Sequence, residues 1–200
     1  MIASALTTLV GILVFIFIFW KKQKEDYSSE IIFKSAFTII FGIIAFSIVG
    51  MNFAPNAFLW LELVGAATGV TLSVNQYKIR FYESLDAMVI AIMPWLALLF
   101  LKDSVVNSSL SSFIAFIIIL FLIFVYYFFD QHYKDFGWYK SGKIGFAGLM
   151  TLGIFFLIRS AIASFGITVL SFVSRFEAVV SGVFAFVCFL LVVNLARQKT

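Results

Sequence analysis

Long apolar segments alternate with short polar ones along the whole chain, and their lengths predict transmembrane helices. A helix rises about 1.5 Å per residue, so roughly 20 apolar residues cross the ~30 Å of hydrocarbon in a bilayer. The predicted spans are approximately Ile2–Trp20, Ile31–Met51, Ala57–Val74, Ser84–Leu101, Leu110–Phe129, Ile144–Ala163 and Ala178–Leu195. We therefore expect an all-α polytopic bundle of about seven transmembrane helices, with residues 1–200 forming one integral membrane domain.

One apolar stretch does not fit this series. The residues from Phe165 to Val173 are apolar but too few to cross a bilayer. They predict a re-entrant or interfacial segment, or an extension of the sixth helix.

The basic residues predict the orientation of the chain. Lys21, Lys22 and Lys24 follow the first apolar segment and no basic region precedes it, which excludes a cleavable signal peptide and places the N-terminus outside. The inner segments then hold Lys21, Lys22, Lys24, Lys34, Lys78, Arg80, Lys134, Lys140, Lys143, Arg197 and Lys199, and the outer side holds Lys102, Arg159 and Arg175. This bias predicts an N-out, C-in topology. Trp20, Trp60 and Trp138 fall at predicted interfaces.

Composition supports the membrane prediction and excludes other classes. Hydrophobic residues make up 63% of the chain and charged residues 12%, with a mean hydropathy of +1.10, whereas soluble domains are about 25% charged. The basic residues form no continuous stripe, so we expect no nucleic acid partner. Cys188 and His132 are single residues of their kind, and no cofactor motif occurs, so no metal site or cofactor is expected. We interpret His132 as a solvated loop residue, with a base beside Asp130 as the alternative.

Two charged residues lie inside predicted spans at matching depth. Glu62 in the third span and Arg159 in the sixth both come roughly 8 Å below the outer interface at 1.5 Å per residue. Charges at this depth are expensive and need a partner. We expect them to pair, either as an anion site in which Arg159 meets a lipid phosphate or as a structural ion pair. A third interpretation is that Arg159 extends to the outer surface.

Other polar and small residues predict local structure. Gly65 and Gly69 are four residues apart among small neighbours, which favours close packing of a second helix, or alternatively contact with a substrate. Pro94 is expected to kink the fourth span. Glu83 and Asp86 begin that helix, where carboxylates interact favourably with its dipole. Their expected partners are Lys34, Lys78 and Arg80.

Four short segments occur along the chain in an order that resembles a known protein family. They are Phe41-Gly42-Ile43-Ile44-Ala45-Phe46-Ser47, Val64-Gly65-Ala66-Ala67-Thr68-Gly69, Phe81-Tyr82-Glu83-Ser84-Leu85-Asp86 and Leu152-Gly153-Ile154-Phe155-Phe156. The series resembles Leu-Gly-x-x-Gly-Ala-Arg, His-Gly-Gly-x-x-Gly, Phe-x-Glu-x-x-Asp and Tyr-Gly-x-x-Arg of the bacterial prolipoprotein diacylglyceryl transferase family. The third segment is the clearest match. Trp20-Lys21-Lys22 and the last helix around Ser181 also resemble that family.

The resemblance implies a function and a location. It implies seven spans in the bacterial inner membrane and transfer of a diacylglyceryl group from phosphatidylglycerol to the lipobox cysteine of a prolipoprotein signal peptide. Such a reaction needs a cation for the phosphate and a base for the thiol. On this hypothesis Arg159 binds the phosphatidylglycerol headgroup, and Glu62, Gly65 and Gly69 complete the substrate-binding set.

The chain departs from the family at the residues that carry its chemistry. Val64 replaces the histidine, and Ser47 and Phe156 replace two arginines. The sequence Phe100-Leu101-Lys102-Asp103 stands where the Arg-x-Gly-Asn-Phe-x-Asn signature would begin. No catalytic residue carries over. Two hypotheses follow: a divergent transferase, or a non-catalytic relative that binds a lipid or a partner protein. A small transporter is a weaker third, since paired broken helices are missing.

Overall fold

The computed structural model describes residues 2–53, 58–136, 139, 144–164 and 176–197. The helices in these ranges are α1 (Ile2–Gln23), α2 (Ser29–Phe53), α3 (Phe58–Tyr77), α4 (Phe81–Asn107), α5 (Leu110–His132), α6 (Phe146–Ser164) and α7 (Phe176–Arg197). A short 3₁₀ turn, Tyr133–Asp135, follows α5. The described residues contain no strand. The predicted all-α polytopic bundle is confirmed.

Six of these helices, all except α3, are long and apolar enough to cross a membrane. The chain is therefore a multi-pass membrane protein. Helix α3 is the most polar of the seven because it carries Glu62 near its start and Asn75 and Gln76 near its end. Each helix begins or ends within a few residues of its predicted boundary, since the length of an apolar run is set by the thickness of the hydrocarbon.

The helices pack side by side, and three of the four largest contacts join helices that are neighbours in the chain. The largest contacts join α2 to α3, α6 to α7, α1 to α4, and α4 to α5. Helix α4 also contacts α3 and α6, and it is the most buried of the six apolar helices. We call the end of the bundle that holds Gln23 and Phe81 the inner end, and the end that holds Asn107 and Ser164 the outer end, after the predicted orientation.

Glycines allow the close approach of two helix pairs. A Cβ atom on Gly65 would lie 2.5 Å from the carbonyl oxygen of Gly42, and one on Gly69 would lie 2.6 Å from the Cα of Ile39. Helices α2 and α3 thus touch backbone to backbone, as the spacing of Gly65 and Gly69 predicts. In the second pair, a Cβ on Gly11 of α1 would lie 2.2 Å from the Trp95 ring of α4.

Helix α4 continues through Pro94 to Asn107. It ends at Ser108, whose φ of 49° lies in the left-handed region and stops the helix. The next residue, Ser109, caps α5 by accepting a hydrogen bond from the Ser112 backbone N–H. The Ser112 hydroxyl also donates to Asp103, which fixes this connection at the outer end.

Candidate functional site

The most deeply buried cation of the described chain is Arg159 on α6, whose residue surface is 1% exposed. Its guanidinium donates to the Ser181 hydroxyl at 2.6 Å and forms a salt bridge with Glu177. Its carbon atom Cζ lies 4.6 Å from the centre of the Trp60 ring. Glu177 and Ser181 are four residues apart on α7, so both face the same neighbour. The buried positive charge is therefore paired with a carboxylate inside the protein.

The partner of Arg159 is Glu177 and not the predicted Glu62. The Glu62 carboxyl instead accepts a hydrogen bond from Ser47 of α2. Glu62 lies at a depth in the bundle that would allow it to pair with Arg159, but its side chain is on a different face of α3. Trp60 and Glu62 are two residues apart on α3, about 200° around the helix axis, so they cannot face the same neighbour. Trp60 faces Arg159 and Glu62 faces α2.

Glu177 was missed at the level of sequence, although a signal was present. It is one of few acidic residues on the predicted outer side, and it lies within one helical turn of the start of the last apolar run. It is 5% exposed and needs a cation at that depth. Matching outer carboxylates to Arg159 by depth would therefore have given two candidates, Glu62 and Glu177.

The four predicted substrate-binding residues do not meet in one place. Arg159 lies between α6, α7 and Trp60. Glu62, Gly65 and Gly69 instead face α2. The two glycines lie at the contact between α2 and α3, where there is no space for a side chain. These contacts favour the packing interpretation of Gly65 and Gly69.

An apolar cavity of about 170 Å³ lies between α4, α5 and α6 toward the outer end. Its walls are formed by Phe100, Ser111, Ile114, Ala115, Ile118, Ile119, Phe155, Ile158, Arg159 and Ile162. The surface presented to the cavity is apolar. Arg159 contributes to the wall while its guanidinium is held by Glu177 and Ser181. The cavity thus suits a hydrocarbon chain better than an anionic headgroup.

A second polar cluster lies at the inner end and is centred on Asp86 of α4, which is 5% exposed. The Lys22 ammonium lies 3.3 Å from its carboxylate and 2.6 Å from that of Asp130. The Tyr126 hydroxyl donates to Asp86 at 3.0 Å, and the Gly148 backbone N–H donates at 2.6 Å. Asp86 therefore joins α1, α4, α5 and α6 through one carboxylate.

The predicted ion-pair partner is correct for Glu83 and wrong for Asp86. Arg80 forms a salt bridge with Glu83 at 3.0 Å, as expected. Asp86 pairs with Lys22, whereas Lys34 pairs with Glu30 on its own helix. Asp86 points into the bundle, where only a residue of a packed neighbour such as α1 reaches it.

Tyr27, in the connection between α1 and α2, completes the inner cluster. Its hydroxyl donates to the Glu83 carboxylate and accepts from the Arg80 backbone N–H at 3.1 Å. Burial and the hydrogen bond to Glu83 raise the pKa of Tyr27. The phenol is therefore held in its neutral form well above physiological pH.

A polar cavity of about 300 Å³ opens beside this cluster, and we call it the inner cavity. It is lined by Lys21, Lys22, Gln23, Glu25, Asp26, Glu83, Asp86, Asp130 and Ile144. Five of these side chains are carboxylates and two are ammonium groups, so negative charge is in excess.

The remaining sequence predictions concern single residues. His132 is the last residue of α5 and is exposed, and its ring stacks on Phe128. Trp20 and Trp60 lie in the last turn of α1 and the first turn of α3. Trp138 and the stretch from Phe165 to Val173 lie outside the described residues.

Comparison of the chain with known proteins gives no relative. Models of protein families, curated proteins and solved structures all return no match.

Proposed function

We propose that this chain is a lipid-binding membrane protein that holds one acyl chain in the cavity between α4, α5 and α6. The observation that carries the proposal is the apolar wall of this cavity in a multi-pass membrane protein. The surrounding lipid tails are as apolar as the cavity wall, so an acyl chain gains no hydrophobic free energy by moving from the bilayer into the cavity. Its binding depends on van der Waals fit to the wall. The occupant is then selected by the shape of its chain.

The charge arrangement around Arg159 supports an acyl chain over a phosphate. A guanidinium that binds a phosphate has to direct N–H groups at it. Here the two terminal nitrogens of Arg159 donate to Ser181 and Glu177, and the surface presented to the cavity is apolar. Arg159 forms part of the cavity wall while its charge is paired with Glu177, so the proposed binding is independent of headgroup charge.

Native mass spectrometry of the purified protein tests the proposal by counting retained lipid. Phosphatidylglycerol and phosphatidylcholine with the same acyl chains should be retained equally. Ala115→Phe places a ring in the cavity and should lower retention about tenfold, the effect of roughly 1.4 kcal/mol. Ala161→Phe is the control, because Ala161 is exposed on α6 and does not line the cavity. Equal retention by both variants would contradict the cavity as the site.

Diacylglyceryl transfer in the bacterial inner membrane is the second candidate function. It is favoured by one observation: Glu83 and Asp86, from the segment that most resembles the transferase family, both line the inner cavity. In the proposed reaction the cysteine thiol loses its proton and its sulfur bonds to the diacylglyceryl carbon. The carbon–oxygen bond to glycerol phosphate breaks, and glycerol phosphate leaves with the bonding electron pair and takes up the proton.

Incubation of the purified protein with phosphatidylglycerol and a lipobox peptide tests this second candidate. A mass gain of one diacylglyceryl group on the cysteine, with release of glycerol phosphate, is the expected product. A peptide whose cysteine is replaced by serine is the control and should gain nothing. An unmodified cysteine peptide, together with failure to support growth of a strain depleted of its transferase, would contradict it.

A further inference from the structure

The inner cavity contains a buried acceptor that no group of the described residues satisfies. Gln23, the last residue of α1, is 2% exposed and lines this cavity. Its side-chain nitrogen donates to the Glu83 carbonyl oxygen at 3.4 Å. Its side-chain oxygen Oε1 has no hydrogen-bond partner in the described part of the chain. A buried carbonyl oxygen without a donor costs free energy, and a ligand that supplies an N–H group would recover it.

The charge around this oxygen selects a cationic donor. The ammonium of Lys22 is already shared between Asp86 and Asp130, at 3.3 and 2.6 Å. Two further carboxylates of the cavity, Glu25 and Asp26, are exposed. The five carboxylates outnumber the two lysines of the lining, so a positive charge entering the cavity is attracted.

The volume of the cavity favours an organic cation over a bare metal ion. At about 300 Å³ the cavity is far larger than one ion fills. Its acceptors are spread from the buried Gln23 to the exposed Glu25 and Asp26. An ammonium group carries three N–H donors and so can bond several oxygens at once.

We propose that the inner cavity binds a ligand through a protonated primary amine, with the ammonium donating to Gln23 Oε1 and to the surrounding carboxylates. The amine belongs either to a small soluble molecule or to the headgroup of an aminophospholipid at the inner membrane surface. This site lies at the opposite end of the bundle from the acyl-chain cavity and shares no lining residue with it. The inference therefore does not rest on the proposed lipid binding.

Thermal unfolding of the whole protein in nanodiscs tests the proposal in two arms. In the first, ethanolamine is added to phosphatidylcholine nanodiscs. In the second, phosphatidylethanolamine replaces part of the phosphatidylcholine and no free amine is added. A rise in Tm in the first arm identifies a soluble amine, and a rise in the second identifies a lipid headgroup. Either rise supports the proposal, and no rise in both arms overturns it.

Two added cations test the chemistry of recognition. Tetramethylammonium has the same charge as ethanolamine but no N–H donor, so it should not raise Tm. If it stabilises as well as ethanolamine does, binding is unspecific and the proposal fails. If magnesium stabilises the protein and neither amine source does, the cavity is a metal site and the proposal fails.

Variants locate the binding site. Gln23→Met removes Oε1 at similar side-chain length and should raise the amine concentration needed for half of the Tm shift about tenfold, the scale of one hydrogen bond to a charge. Because Gln23→Met alters a buried residue, Asp26→Asn combined with Glu25→Gln provides a second test on exposed positions, with the same direction of effect. Glu30→Gln is the control, since Glu30 is exposed and does not line the cavity. Unchanged amine response in both test variants overturns the proposal.

Discussion

The buried pair of Arg159 and Glu177 gives the sharpest prediction for stability. The two residues are 1% and 5% exposed, so water cannot replace a lost partner. Glu177→Leu leaves the guanidinium with Ser181 and the Trp60 ring, and Arg159→Met leaves a buried carboxylate. Removing one partner of a buried ion pair costs about 3–5 kcal/mol in the free energy of unfolding. We expect each single variant to lose this amount.

The double variant should recover most of the loss. Methionine and leucine together replace the ion pair by an apolar contact of similar size, which is close to neutral for a buried pair. The free energy of unfolding should then return to within about 1–2 kcal/mol of the original protein. The two single effects are therefore predicted to be strongly non-additive.

Unfolding in mixed micelles, driven by a rising mole fraction of sodium dodecyl sulfate and followed by tryptophan fluorescence, measures these energies. The same cycle on Lys34 and Glu30 is the matched control, because this pair is exposed and joins residues of one helix. Its single effects should be additive. If the double variant at Arg159 and Glu177 loses the sum of its two single losses, the pairing argument is refuted.

Three further predictions concern the inner end of the bundle. Gly148→Ala should cost about 1–3 kcal/mol by overpacking, because its Cβ would lie 2.6 Å from the Asp86 carboxylate. Lys22→Met should cost about 3 kcal/mol, the low end for a buried pair since the Lys22 side chain is 26% exposed. Tyr27→Phe should change the pH dependence of stability. Because folding raises the pKa of Tyr27, the phenol stabilises the protein fully below its unfolded pKa of about 10, and this contribution is lost as pH rises through the folded pKa.

Each of these predictions has its own control and measurement. Gly182→Ala is the control for Gly148→Ala, since the nearest atom to its Cβ would be the Ser160 hydroxyl at 3.4 Å, and equal losses for both would contradict the contact. Lys24→Met, on an exposed lysine of the same segment, should leave unfolding in mixed micelles unchanged. Denaturation at about pH 8 and about pH 11 tests Tyr27. If the Tyr27→Phe variant loses as much stability on alkalinisation as the original protein does, the phenol does not act as described.

Much of the fold was predictable because a helix that crosses a bilayer needs a fixed length of apolar sequence, which can be read along the chain. The run of apolar residues around Pro94 predicts a span, and α4 indeed passes through it from Phe81 to Asn107. The spacing of Gly65 and Gly69 predicts a close helix contact, which α2 provides. Both features depend only on distances along one helix.

The partners of the charged residues were less predictable, because depth in the membrane does not fix rotation about a helix axis. Glu62 matches the depth of Arg159 but faces α2, and Glu177 reaches it only because α7 packs on α6. Likewise, nothing within α4 indicates that Asp86 meets Lys22 of α1.

By itself, the sequence determined that this protein is a helical bundle for a membrane, approximately where its helices lie along the chain, and which residues need a partner. Only the tertiary structure decided which partner each one found, and where the apolar and polar cavities open. The reason is that pairing and cavities depend on which faces of different helices meet, and this is set by the packing of the whole bundle.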